Sequence, residues 1–297
     1  LATLQRLDEE GRLPLRVYAM VEGGREETLL PWLRRGPHAG DRLTVRCVKL
    51  YLDGALGSRG AAFEEPYEDD PENRGLTLIE PDRLRAVLEA SHRAGFQVAL
   101  HAIGDRANAM ALDAFDAAGL PPSARPRIEH AQILRRADIF RAARRGAIAS
   151  MQPTHCTSDM PWVEARIGAR RLEGAYAWRS FLDAGACVAF GSDFPIESPD
   201  PRKGLYAAIT RQDEHGRPPG GFLPRERVDA LQALRGFTTG AAFASFSEAT
   251  SGRIAPGMRA DLTVIDRDPL EGDPRAILGA SILRTIVGGR TVFAASA

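Results

Sequence analysis

The stretch CVAFGSDFP, residues 187–195, decides the fold when it is set beside QVALHAIGD at 97–105 and PRIEHAQ at 126–132. Each is a short apolar run that ends on a residue able to hold a metal: Asp193, His101 and His130. A further run over 45–52 carries Lys49 within an otherwise apolar strand pattern. Buried parallel strands read as short apolar runs. In a barrel of alternating strands and helices, chemistry gathers at the carboxyl ends of those strands. Strand ends offering Lys, His, His and Asp in that order predict one shared metal site.

Outward from these runs, strand and helix alternate along the chain. Strands are expected over 13–21, 45–52, 96–101, 126–130, 147–152 and 187–191. Helices are expected over 27–35, 81–94, 105–118, 136–145, 162–170, 175–184 and 204–211. This alternation argues an α/β fold with a parallel sheet and right-handed crossovers. About six such units are present, whereas a closed TIM (β/α)8-type barrel needs eight, so the remaining pair is expected ahead of Leu1. The segment 53–74, Gly-rich and then acidic, is long for a connection inside a compact domain and is expected at the rim of the site. Helices over 225–237 and 238–246 close the barrel region. From residue 248 the pattern changes to β-branched runs, with Gly288-Gly289 as a hairpin turn. The domain division expected is therefore 1–247 for the barrel and 248–297 for part of a small β-sandwich.

With 39 basic and 39 acidic residues the formal net charge is zero, which favours neither a nucleic-acid partner nor an anionic membrane. No stretch approaches the roughly 18 apolar residues of a membrane span. Cys47, Cys156 and Cys187 are odd in number and lack CxxC spacing, so a disulfide framework is not expected and a reducing cytoplasm is.

Two histidines and an aspartate suit a borderline divalent ion such as zinc, with one position open for water. Lysine is almost never fully buried unless paired. A buried Lys49 has a depressed pKa, and its neutral amine reacts with carbon dioxide to give a carbamate, a bridging carboxylate between metals. The alternative is a strand-end lysine paired with Asp53 or Glu129. A lone His101 reads as a core histidine, and its pairing with His130 one strand later raises the ligand reading. Glu129 is expected on the face opposite His130, in a structural role. His155, in MQPTHC, is expected just past a strand, where it orients substrate or stabilises an oxyanion; the alternative is an exposed loop histidine. Arg59 and Arg211 are candidates for binding a substrate carboxylate. Asp105 and Arg106 read as helix-terminal residues, and His38, His92 and His215 as surface residues.

The motifs VKLYLDGALGSR (48–59), LHAIGD (100–105), IEHAQ (128–132), SMQPTH (150–155), GSDFP (191–195) and GRIAPGMRADLTVIDRDP (252–269) together resemble the amidohydrolase superfamily. The nearest branch is amidohydrolase family 3, which includes N-substituted formamide deformylases. The resemblance implies a metal-dependent (β/α)8 barrel beside a small β-sandwich built from both chain ends. It implies that His101 and His130 are metal ligands and that Lys49 occupies a position carboxylated in binuclear relatives. It also implies that Asp193 binds metal and takes the proton from the attacking water. One departure stands out: the superfamily's strand-one His-x-His pair is absent, since no two histidines here are separated by one residue. The expectation is that this chain lacks an N-terminal portion, and that an open barrel edge leads to association, for instance as a homodimer.

The function expected is hydrolysis of a C–N bond in a small amide or formamide by metal-activated water, with Asp193 as general base. Two rivals stand beside it. One is a hydrolase of cyclic amides or esters. The other, from a different class, is an impaired barrel acting as a binding or partner protein, whose support is the missing His-x-His.

Overall fold

Six parallel strands run side by side through the larger sheet of the computed structural model, which describes residues 1–295. They are β1 (Val17–Glu22), β3 (Leu43–Tyr51), β4 (Gln97–Ala102), β5 (Arg127–His130), β6 (Ile148–Met151) and β7 (Val188–Phe190), adjacent in that order. The short β2 (His38–Ala39) joins β3 antiparallel, outside that path. Among the described residues, β1 and β7 remain the sheet's two ends. The α/β barrel architecture expected from the alternation is the one observed.

The outer face of the sheet is apolar and helix-covered. Leu50 and Leu52 of the β3 segment, Val98 and Leu100 of β4 and Ile128 of β5 share one core with Leu84, Leu88, Leu112 and Phe115 from the helices Pro81–Arg93 and Asp105–Ala117. Each such side chain contributes about 1.5–3 kcal/mol by leaving water. Helix boundaries follow local chemistry. Pro81 begins one helix, Arg136–Arg145 ends at Gly146 with φ 70°, and Asp229 forms a capping box with Gln232 at the start of Ala230–Arg235.

The residues after β6 form a helix, Pro153–Asp159, with proline at its first turn, which carries His155 just past the strand. One expectation changes. The segment 225–246 is broken into Pro224–Glu226, Ala230–Arg235, a π turn at Gly236–Gly240 and Ala241–Ala244.

The long segment 53–74 carries only an isolated bridge between Tyr67 and Asp70, yet it is well packed. Ala61, Ala62, Phe63 and Tyr67 are buried, and Asp105 accepts a hydrogen bond from the Glu64 N–H at 2.9 Å. Gly104 permits this docking: a Cβ there would lie 2.0 Å from the Ala62 carbonyl oxygen. The glycine of the HAIGD motif is thus a close-approach residue.

Beyond the barrel, β8 (Leu262–Ile265), β9 (Ile282–Val287) and β10 (Arg290–Ala294) form an antiparallel sheet in the order β10-β9-β8. Arg16 ties this sheet to the barrel by an ion pair of 2.6 Å with Asp261. Positions 296–297 of the predicted 248–297 segment lie outside the described residues. Among the described residues no helix is long and apolar enough to cross a membrane.

Candidate metal centre

Register brings the strand-end residues together. Tyr51 pairs with His101, His101 with Glu129, and Glu129 with Ser150. Paired residues of adjacent parallel strands share a face, so His101 and Glu129 both point inward, and strict alternation would send His130 outward. The backbone prevents that. His130 has φ 73° and Ala131 φ 43°, and this turn swings the imidazole back until its ring centroid lies 4.6 Å from that of His101, edge on. Asp193 also has positive φ, 57°. Non-glycine residues in this region cost about 1 kcal/mol or more and cluster at functional sites.

Buried acceptors fix the orientation of two rings. His101 Nδ1 lies 3.0 Å from Asp53 Oδ1, and Asp53 also accepts from the backbone N–H groups of Ala62, Ile103 and Gly104. His130 Nδ1 lies 2.8 Å from Gln152 Oε1. An acceptor at Nδ1 places the proton there and leaves Nε2 as a lone pair, the state of a metal-binding histidine.

The third histidine is different. His155 stacks on His130 with centroids 5.7 Å apart, and its Nε2 stands 3.7 Å from Asp193 Oδ2. That nitrogen is buried and has no hydrogen-bond partner among the described residues. Donor atoms of His130, His155 and Asp193 all lie within 4.8 Å of one another.

Burial holds the imidazoles neutral. It pushes His130 down to about 3, with the neighbouring His101, Lys49 and His155 charges adding to the effect, and it pushes His155 down to about 4. The Asp193 carboxyl is raised, chiefly by burial, against the pull of Lys49 and His101. Lys49 is lowered by burial, with the charge of Glu129 opposing. The His130 and His155 imidazoles, the latter with its orphaned buried Nε2, and the Asp193 carboxylate form a donor set that fits a divalent ion of the zinc type.

The other predicted residues are placed as follows. Lys49 lies on the inner row, its Nζ 4.8 Å from the Tyr51 ring centroid, and within 4 Å it pairs with neither Asp53 nor Glu129. Those carboxylates are engaged elsewhere: Asp53 with His101, and Glu129 with Arg127 at 2.7 Å and 3.1 Å. Burial pushes the Glu129 carboxyl up, but Arg127 and Lys49 more than offset this and hold it below the ordinary range.

The two arginine expectations are corrected. Arg59 Nε and Nη2 donate to Asp69 at 3.1 Å and 3.0 Å, which commits its fork to the loop. Arg211 is fully buried, stacked 4.1 Å from the Trp178 ring centroid, with Nη1 donating to the Tyr176 carbonyl at 2.9 Å. It is a packing residue. Cys156 is buried in the core, its thiol pushed up to about 11 by burial, and offers no nucleophile.

Sequence reading missed the orienting roles of Asp53 and Gln152, and the closeness of His155 to His130 and Asp193. The available signal was position: Gln152 directly follows β6, and Asp53 lies two residues past β3.

Parallel strands wound by helices, with histidines and a carboxylate gathered at their carboxyl ends, define a protein of the TIM-barrel class. The chain belongs to the amidohydrolase family, whose family model matches residues 1–293. It is similar to YtcJ of Bacillus subtilis (strain 168), provisionally named an amidohydrolase, with 33% identity over 283 residues, 95% of this chain and 53% of YtcJ. It is 26% identical over 300 residues to the N-substituted formamide deformylase of Arthrobacter pascens, covering 96% of this chain and 53% of that protein. Among solved structures, an uncharacterized metal-dependent hydrolase from Pyrococcus furiosus superposes with a TM-score of 0.80 at 36% identity, covering 91% of this chain and 54% of that one. The chain thus spans about half the length of the curated relatives it matches.

Proposed function

We propose that this chain forms the catalytic part of a metal-dependent hydrolase acting on a C–N bond of a small amide or formamide. The observation that carries the reading is the convergence of His130, His155 and Asp193, with the buried His155 Nε2 lacking a partner among the described residues. The relatives named as an amidohydrolase and a formamide deformylase support the bond class.

His101, His130 and Asp193 hold the ion, zinc in this reading, with Lys49 on the same inner row as a further donor once carboxylated. Burial supports that carboxylation, because it favours the neutral amine. A bound divalent ion lowers the pKa of water to about 7 and polarises a carbonyl. Asp193 accepts the proton released by the attacking water and passes it to the leaving nitrogen. Its 39% exposed side chain keeps the carboxylate open to water. His155 holds the carbonyl oxygen as charge builds there. In a second reading, favoured by its donor contacts with His130 and Asp193, His155 itself binds the ion. Free thiols at Cys47, Cys156 and Cys187 support a reducing, cytoplasmic setting.

The testing experiment is turnover of N-alkylformamides by zinc-loaded protein and by its His155→Gln variant. Hydrolysis lost with zinc retained supports the carbonyl role of His155. Loss of zinc itself supports the ligand role, and no hydrolysis by the loaded parent protein contradicts the proposal.

A further inference from the structure

A cavity of about 340 Å³ opens at the carboxyl ends of β1 and β3, where Leu50, Tyr51, Leu78 and Ile79 form an apolar wall. Tyr51 belongs both to this wall and to the surroundings of the strand-end cluster. Its ring centroid lies 5.3 Å from that of His101 and 4.8 Å from Lys49 Nζ. Glu22, the last residue of β1, also lines the cavity and pairs in register with Lys49. The cavity therefore adjoins the inner row of the sheet.

The wall is in place before any ligand arrives. Leu78 N–H donates to the Leu52 carbonyl at 2.9 Å, which fastens this segment against the end of β3. Even so, Tyr51 is 48% exposed and Leu78 54%. The charged side chains around the cavity are spent in water. Glu22 Oε1 accepts from the Gly24 N–H at 2.7 Å, and Arg83 Nη2 donates to the Gly24 carbonyl at 3.0 Å, both in exposed bonds. Glu80 is exposed at the start of the helix Pro81–Arg93. Solvated charges of both signs add little to binding. What the cavity offers a ligand is apolar surface to bury and one aromatic face to stack on.

We propose that this cavity holds the non-reacting substituent of the substrate, and that Tyr51 and Leu78 are specificity-determining residues that select an apolar, ring-bearing group there. Tyr51 stacks on the ring, and Leu78 closes over its edge. The inference rests on the hydrolytic reading for its reaction, but not for its binding step.

The test compares N-(2-phenylethyl)formamide with N-(2-hydroxyethyl)formamide, which share the two-carbon link to the bond that breaks and differ in the group beyond it. Calorimetric binding and turnover are followed on the zinc-loaded chain and on its Leu78→Asn and Tyr51→Ala variants. The expected result is a preference of about tenfold or more for the phenyl amide, carried in binding and in KM rather than in kcat. Leu78→Asn, a change on a half-exposed side chain that spares the core, is expected to cut that preference about threefold, and Tyr51→Ala to cut it further. Equal or undetectable binding of the two amides by the unsubstituted chain overturns the proposal, as does a preference that both variants keep in full. If neither amide is hydrolysed yet the binding preference persists and depends on Leu78, the hydrolytic reading fails while this one stands. Hydrolysis of both amides without preference leaves the hydrolytic reading standing and overturns this one.

Discussion

On the His101 flank of the strand-end cluster, Asp53 is 1% exposed and accepts from an imidazole and three backbone N–H groups. On the opposite flank, His155 Nε2 is buried with no partner among the described residues and faces a partly exposed Asp193 carboxylate across 3.7 Å. The first flank has its valences filled by the protein, so ring and tautomer are set before any ligand arrives. The second has valences left over, and buried polar atoms without partners are costly unless something binds them. Scaffold and reactive edge are separated within one cluster.

Substitutions on the two flanks are therefore expected to fail differently. Asp193→Asn is expected to lower kcat on formamides by about a thousandfold or more, with far-ultraviolet circular dichroism and thermal midpoint unchanged. A residual rate within tenfold of the parent would place the base elsewhere. Asp53→Ala is expected to cost about 3 kcal/mol in urea denaturation, because it orphans three buried N–H groups and a ring nitrogen. Asp53→Asn, which keeps an acceptor oxygen, is expected to cost less. Equal stability losses at Asp53 and Asp193 would erase the distinction between the flanks.

A smaller effect is expected at Gln152. Gln152→Ala removes the acceptor for His130 Nδ1 and is expected to weaken zinc binding roughly 10–100-fold while leaving the fold intact. An unchanged zinc affinity would show that the His130 ring is held by packing alone.

The mildest prediction concerns pH. In metal-stripped protein, His130 and His155 bind protons at about 3 and about 4, against 6.5 when unfolded. Below 6.5 the unfolded chain therefore holds more protons, and stability is lost as pH falls from there toward 4 and then 3. The raised carboxyls of Asp105, Asp159 (up to about 6) and Asp193 act in the opposite direction, so the comparison with His155→Gln isolates the histidine contribution. The urea midpoint is expected to fall on acidification through this window, with a shallower slope in His155→Gln. An identical slope in that variant would remove His155 from the account.

Much of the scaffold was legible because it is local. The helix expected over 136–145 is observed as Arg136–Arg145, and the run before Asp193 is the strand Val188–Phe190. The order Lys, His, His, Asp was also readable, since each residue closes or lies within its own apolar run. What was hidden depends on contacts far apart in sequence. Nothing in a period of two announces that His130 takes φ 73° and turns inward, or that Asp53 reaches His101. Arg211 looked like a free cation because its stacking on Trp178 exists only in the folded chain. His155 lies just past its strand as expected, but the short helix that starts at Pro153 and carries it was not read from the sequence.

The most direct test of the central claim, that this cluster holds a divalent ion, is equilibrium titration of the chain with zinc against a chromophoric chelator. The same titration is made on a His130→Ala/Asp193→Asn double variant. The account predicts about one tightly held equivalent in the parent chain and none in the variant. Equal binding by the two proteins, or no binding by the parent, would contradict it.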